Sequence, residues 1–182
     1  MTLGSSVEGS SRNAASDIAK ALARAREIFA ESGTQTAPVP VERIARRMKV
    51  QVRYAPLDGD ISGMASIRDG VKIIGVNSLH HPNRQRFTLS HELGHLLLHE
   101  DELLDTVHLD KGSLYRDSIS SQGIDSLERE ANAFASELLM PEPLVAAALG
   151  PRVDIEDDET VAKLARRFRV SVAAMHYRLI RI

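Results

Sequence analysis

Apolar residues recur at helical spacing over much of the chain. Between residues 14 and 32, Ile18, Leu22 and Phe29 fall on one face of a helix, and Gly33 follows where a helix can end. The same periodicity predicts further helices over 41–48, 83–99, 125–139, 160–168 and 172–180, and a short one that ends at residue 149. Helices therefore make up most of the predicted structure.

Three other segments have the pattern of strands. Residues 50–54 alternate apolar and polar, while 61–67 and 71–76 flank Asp69-Gly70, a dipeptide typical of tight hairpins. We expect a small three-stranded antiparallel sheet packed on helices, which makes the fold class α+β. The polar span 100–123 is predicted to be a long loop with room for a short helix.

The chain divides into three parts by composition. Residues 1–13 are rich in Ser and Gly and are expected to form a disordered leader. Residues 14–150 hold enough apolar positions for one core, and the acidic linker 154–159 sets off a helical pair within 151–182. We expect that pair to be packed on the core or appended to it.

Composition excludes several functional classes. The 182 residues carry a formal net charge of −2, which gives no overall attraction to nucleic acid or acidic lipid. There is no cysteine, so disulfides and thiolate metal sites are excluded. No stretch approaches the roughly 18 apolar residues of a membrane span, and the N-terminus lacks the pattern of a signal peptide. We therefore expect a cytoplasmic protein without a membrane partner.

The predicted helix over 83–99 contains a metal-binding pattern. His91 and His95 are four residues apart, so both imidazoles project from one face, with Glu92 beside them. Two histidines and a glutamate in this spacing are typical of zinc hydrolases, in which the glutamate is the general base. A catalytic zinc site has three protein ligands, so a third ligand must lie elsewhere.

Two nearby candidates for the third ligand fail on geometry. Asp101 has the spacing of an extended motif, but that motif needs a glycine where this chain has Leu98. His99 lies one turn beyond His95, about 6 Å further along the helix axis, which is too far to complete a tetrahedron. We expect His99 to have a structural or supporting role.

The helix over 125–139 offers the better candidate. Glu128 shares a face with Ala131, Asn132 and Ala135, and these small side chains allow close approach of another helix. Glu130 projects from a different side of that helix. We therefore predict Glu128 as the third metal ligand and Asn132 as a partner that hydrogen-bonds to a ligand side chain.

The C-terminal pair has the apolar spacing of a helix-turn-helix. Ala165, Ser171 as an N-cap and Met175 fit that motif, whereas Arg169 stands where its tight turn usually has glycine. Several basic side chains could meet phosphates or simply face solvent: Lys163, Arg166, Arg167, Arg169, Arg178 and Arg181. DNA binding, protein docking and simple closure of the core all remain open.

In combination, three runs resemble the ImmA/IrrE family of metallopeptidases over about residues 18 to 180. They are Phe87-Thr-Leu-Ser-His91-Glu-Leu-Gly-His95-Leu-Leu-Leu-His99, Glu128-Arg-Glu-Ala-Asn132-Ala-Phe134-Ala and Glu137-Leu-Leu-Met-Pro141. The resemblance implies a zincin-like core of the gluzincin type, one Zn²⁺ held by His91, His95 and Glu128, and Glu92 as general base. It also implies cleavage of a helix-turn-helix repressor of the XRE type.

Three functional hypotheses follow. The first is a zinc-dependent endopeptidase that relieves repression; the others are a non-proteolytic anti-repressor with a structural metal, and a DNA-binding regulator. For the endopeptidase we expect the strand over 71–76 to pair with an extended substrate. An oxyanion-stabilising group is also expected, for which the candidates are His108, Tyr115, His176 and Tyr177. Other divalent first-row metals would also suit two histidines and a glutamate.

Overall fold

A computed structural model describes residues 6–58, 60–104, 106–111, 121–149 and 157–182. Within these ranges there are seven α-helices: α1 (Ser6–Ser32), α2 (Val41–Arg47), α3 (Pro82–Leu98), α4 (Ser121–Leu139), α5 (Glu142–Leu149), α6 (Asp158–Phe168) and α7 (Val172–Leu179). A 3-10 turn covers Asp101–Leu103, and the four strands are β1 (Gln51–Ala55), β2 (Ile61–Arg68), β3 (Val71–Asn77) and β4 (Val107–Lys111). The predicted mixed α+β class is confirmed.

The helix ends follow local sequence signals. The left-handed backbone of Gly33, with φ of 66°, comes directly after α1, as expected for a residue without a Cβ. Ser171 caps α7, because its side chain accepts a hydrogen bond from the Ala174 amide at 3.1 Å. Helix α1 begins at Ser6, so it extends into the stretch that was expected to be a disordered leader. Residues 1–5 of that stretch lie outside the described residues.

The sheet differs from the prediction in both strand number and direction. It has four strands in the order β1-β3-β2-β4, so the expected three-stranded sheet is wrong. Strands β2 and β3 form the predicted hairpin, in which Asp69 and Gly70 both have positive φ. The expected purely antiparallel arrangement is also wrong: β3 lies between β1 and β2, and it runs parallel to β1. The extra strand, β4, comes from the polar span 100–123 and pairs antiparallel to β2.

The position of β3 shows that one expectation is wrong, namely that the strand over 71–76 pairs with an extended substrate. Its backbone pairs with β1 on one side and β2 on the other, so it cannot receive an extended peptide. The edges of the described sheet are β1 and β4. A substrate strand that joins this sheet must therefore pair with an edge strand.

Helix α3 lies in the middle of the fold, packed on both the sheet and α4. Leu89, Leu93 and Leu96 are fully buried along it. Gly94 permits the close approach of α4, since a Cβ at this position would lie 3.0 Å from Phe134 Cδ1 and 3.3 Å from Ala131 Cα. Because α3 is enclosed on several sides, it buries polar residues as well as apolar ones. His91 and His95 are among these buried polar residues.

The helices α6 and α7 are joined by a three-residue turn, and they contact the rest of the chain through buried apolar side chains such as Phe168 and Met175 and through polar groups. Arg169 in that turn has a left-handed backbone with φ of 54°, the conformation that glycine usually supplies. Asn83 at the start of α3 donates to the Val170 carbonyl at 2.9 Å. The buried Glu137 of α4 forms an ion pair with Arg178 of α7 at 2.8 Å. In the described ranges, no helix is long and apolar enough to cross a membrane.

Candidate metal centre

Three polar side chains of α3 are buried at one place between the sheet and α4. His91, Glu92 and His95 have 3%, 0% and 2% of their surface exposed. The helix starts with a hydrogen bond from the Asn83 amide to His81 Nδ1 and with Pro82 in its first turn, both favourable at a helix N-terminus. Buried ionisable groups need partners or a metal ion, so this cluster requires an explanation.

The two histidines meet one carboxylate from α4. His91 Nε2 and His95 Nε2 are 3.1 Å apart. Glu128 Oε2 lies 3.2 Å from His91 Nε2, and Glu128 Oε1 lies 3.3 Å from His95 Nε2. Two atoms bound tetrahedrally at 2.0–2.1 Å from zinc would be about 3.3–3.4 Å apart. The three groups are therefore already spaced as ligands of one small divalent ion.

Each histidine has a further partner on its other ring nitrogen. His91 Nδ1 lies 3.2 Å from Asn132 Oδ1, which can accept only if that nitrogen carries the proton. His95 Nδ1 lies 3.1 Å from His99 Nδ1, and His99 Nε2 lies 3.1 Å from Glu130 Oε2. These contacts favour the tautomers that leave both Nε2 atoms free to bind a metal. The structure thus places Asn132 in contact with the candidate ligand His91. His99 contacts the candidate ligand His95, and Glu130 contacts His99.

Glu92 is fully buried beside this cluster. Within the described part of the chain, its Oε1 has no hydrogen-bond partner, and burial raises the pKa of Glu92. Room for the side chain depends on Gly63 of β2, because a Cβ there would lie 3.2 Å from Glu92 Oε1 and would overlap Thr88 Cγ2. Gly63 was not predicted, although a glycine inside a strand is a known signal of close approach by another group.

His108 of β4 bridges the two carboxylates. Its Nδ1 is 3.2 Å from Glu92 Oε2 and its Nε2 is 2.9 Å from Glu128 Oε1. Burial opposes the charged imidazole, but the hydrogen bonds that His108 donates to Glu128 and Glu92 outweigh burial and raise the pKa of His108 to about 10. Of the four candidates for oxyanion stabilisation, His108 is the one that the described structure brings to the cluster.

The other three candidates lie elsewhere or outside the described residues. His176 and Tyr177 are exposed on α7, and the Tyr177 ring lies 3.9 Å from the Arg181 guanidinium carbon. Tyr115 falls outside the described residues.

The protonation states of two candidate ligands, His95 and Glu128, favour metal binding at neutral pH. Burial lowers the pKa of His95 to about 4, which leaves the ring neutral. Burial would raise the pKa of Glu128, but its contacts with His108, His91 and His95 outweigh this and hold that pKa well below the usual range. A neutral imidazole and an ionised carboxylate are the forms that bind divalent cations. The donor set of two nitrogens and a carboxylate suits Zn²⁺.

A motif helix that carries two histidines and a glutamate, with an acidic third candidate ligand on the next long helix, is typical of the zincin-like class of α+β domain. Residues 45–180 match the family described as the IrrE N-terminal-like domain, peptidase family M78. The chain belongs to this peptidase family, as the resemblance noted above implied.

Two relatives are named as metalloproteases. The chain is 38% identical over 121 residues to the radiation response metalloprotease IrrE of Deinococcus radiodurans, covering 62% of this chain and 33% of that protein. It is 39% identical over 111 residues to the protein of the same name from Deinococcus deserti, covering 59% of this chain and 35% of that one. The chain therefore spans about a third of the length of these relatives.

A solved structure supports the fold alone. A Mycobacterium tuberculosis transcriptional regulator aligns with a TM-score of 0.57 at 21% identity, covering 88% of this chain and 55% of that one.

Proposed function

We propose that this protein is a zinc-dependent endopeptidase. The observation that carries the proposal is the convergence of His91 Nε2, His95 Nε2 and a Glu128 oxygen at ligand spacing, with the buried Glu92 alongside. The family match and the name metalloprotease in two relatives support the same reaction class. The substrate that we propose, a helix-turn-helix repressor of the XRE type in the cytoplasm, rests on the resemblance to the ImmA/IrrE family.

The chain's own residues supply a base, its orientation and a dry environment. Zinc, when bound, would supply Lewis acidity that lowers the pKa of water to about 7 and polarises a carbonyl. Glu92 takes a proton from the attacking water and later delivers it to the leaving amine, and its raised pKa suits both steps. Because His108 Nδ1 donates to Glu92 Oε2, His108 holds the base in place. Its position also lets it face the carbonyl oxygen of a bound substrate.

Strand β4 is the best candidate for holding the substrate backbone. It is an edge strand, and it carries His108 towards Glu92 and Glu128. An extended peptide that pairs with β4 would pass beside the metal site, and its backbone hydrogen bonds would not depend on side-chain identity. This role replaces the one that was expected for β3.

The variant Glu92→Gln tests the proposal because it removes the base and keeps the side chain's shape. We expect zinc binding and partner binding to be retained and cleavage to fall by about 10²–10⁴-fold. The measurement is cleavage of candidate helix-turn-helix repressors by the zinc-loaded protein, with Glu31→Gln on an exposed face of α1 as the matched control. If Glu92→Gln relieved repression fully, a non-proteolytic anti-repressor would be the correct account.

A further inference from the structure

A groove lies next to the metal centre and is not used by the proposed chemistry. It has a volume of about 660 Å³, within the range of about 300–1,000 Å³ typical of ligand sites. We name it the α3–α7 groove; the residues that line it on α3 are Asn83, Arg84 and Phe87, and those on α6 and α7 include Ala162, Arg166 and Ala174.

Phe87 connects this groove with the metal site. It precedes His91 by one helical turn, and their rings are stacked with centroids 6.2 Å apart and planes at 28°. An extended peptide advances about 3.3 Å per residue. A substrate that has its scissile bond at the metal and runs towards Phe87 would therefore place a residue about two or three positions away over that ring.

The residues that line the groove indicate which kind of peptide side chain it could bind. Its walls are mostly apolar, and alanines at Ala162, Ala165 and Ala174 leave space for a large side chain. The two charged residues among the described residues that line it are Arg84 and Arg166, and no acidic residue is among them. Arg84 is oriented by its 2.8 Å hydrogen bond to Ser62. Apolar walls with basic groups match a bulky apolar side chain that has an acidic neighbour.

We infer that the α3–α7 groove is a substrate subsite for a bulky apolar residue next to Asp or Glu, about two or three residues from the scissile bond. This inference rests on the proposed function, since the peptide that reaches the groove is the peptide held at the metal. The C-terminal helix pair thereby contributes to substrate selection, because α6 and α7 form one wall of the groove.

Charge reversal at Arg166 tests the inference without relying on loss of activity. A degenerate peptide library is incubated with the zinc-loaded protein, and the cleaved bonds are identified by mass spectrometry. We expect wild type to favour an acidic residue near the cleaved bond, and Arg166→Glu to reduce that preference about three- to tenfold or to prefer Lys and Arg instead. The matched control is Arg167→Glu, an exposed neighbour on α6 that lines a different cavity.

A binding experiment separates failure of the subsite from failure of the proposed reaction. Zinc-loaded Glu92→Gln is used to enrich peptides from the same library, with and without Arg166→Glu. Enrichment of apolar-acidic peptides that Arg166→Glu abolishes supports the subsite even if wild type cleaves nothing, in which case only the proposed function is wrong. Identical selection by wild type, Arg166→Glu and Arg167→Glu would overturn the inference, as would an equal change in both variants.

Discussion

The two sides of the metal cluster are built in different ways. On one side, α3 and α4 contribute His91, His95 and Glu128 from the facing surfaces of two helices. On the other side, β4 contributes a single residue, His108, which reaches the cluster only because β4 pairs with β2. The helical side depends on spacing within the chain, whereas the strand side depends on pairing between distant segments. In the proposed mechanism the helical side would hold the ion, and His108 of the strand side would orient the base, Glu92, which itself lies on α3.

Loss of a ligand from the helical side should have the largest effect. Glu128→Ala removes the carboxylate between the two histidines, so we expect zinc affinity to fall by more than about a hundredfold, beyond the range for supporting partners. Glu130→Ala removes only the partner of His99 and should lower affinity less, within about tenfold. Competition with a zinc chelator measures both, and equal losses would mean that the assignment of Glu128 as ligand is wrong.

A change on the strand side should affect catalysis more than metal binding. His108→Gln loses the bridge between Glu92 and Glu128, so we expect kcat to fall about 10–100-fold while zinc affinity changes by about tenfold at most. Steady-state kinetics and chelator competition give the two values, and His176→Gln on the exposed face of α7 is the control. Loss of zinc binding as severe as in Glu128→Ala would place His108 among the ligands instead.

The space beneath Glu92 should be sensitive to a single methyl group. In Gly63→Ala the new Cβ would overlap Thr88 Cγ2 and press on Glu92 Oε1, so we expect the free energy of unfolding to fall by about 1–3 kcal/mol. Gly94→Ala should cost less, since its closest new contact, to Phe134 Cδ1, is 3.0 Å. Urea unfolding of the metal-free proteins compares them, and a larger loss in Gly94→Ala would reverse our view of which contact is tighter.

A further effect concerns pH and is confined to the metal-free protein. The folded state raises the pKa of His108 from 6.5 to about 10. The stability that this adds is complete below pH 6.5 and is lost as pH rises through about 10. The difference in unfolding free energy between wild type and His108→Gln should therefore shrink over that range. A difference that stays constant with pH would show that His108 is not held protonated by its carboxylate partners.

Local patterns in the sequence were sufficient for the helical side. The apolar period of α3 placed His91 and His95 on one face, and the small residues of α4 identified the face on which Glu128 lies. The hairpin signal at Asp69-Gly70 was equally local and correctly placed β2 and β3. In each case residues only a few positions apart determine the outcome.

The position of His108 on the strand side could not be predicted, because it depends on pairing between segments that are distant in the chain. Strand β4 lies within a polar span, and its two apolar residues, Val107 and Leu109, do not stand out from those surroundings as a strand pattern. Nor does alternation specify which strand is the neighbour or in which direction it runs, so the parallel pairing of β1 with β3 was missed. His108 was one of four unranked candidates, and only the pairing of β4 with β2 distinguishes it.

The most direct test is a crystal structure of the zinc-loaded protein with anomalous scattering recorded at the zinc edge. We expect one ion, with His91 Nε2, His95 Nε2 and a Glu128 oxygen at about 2.0–2.2 Å, and with Asn132 still in contact with His91 Nδ1. An ion bound instead by His99 or Glu130, or no ion between α3 and α4 at saturating zinc, would contradict this expectation.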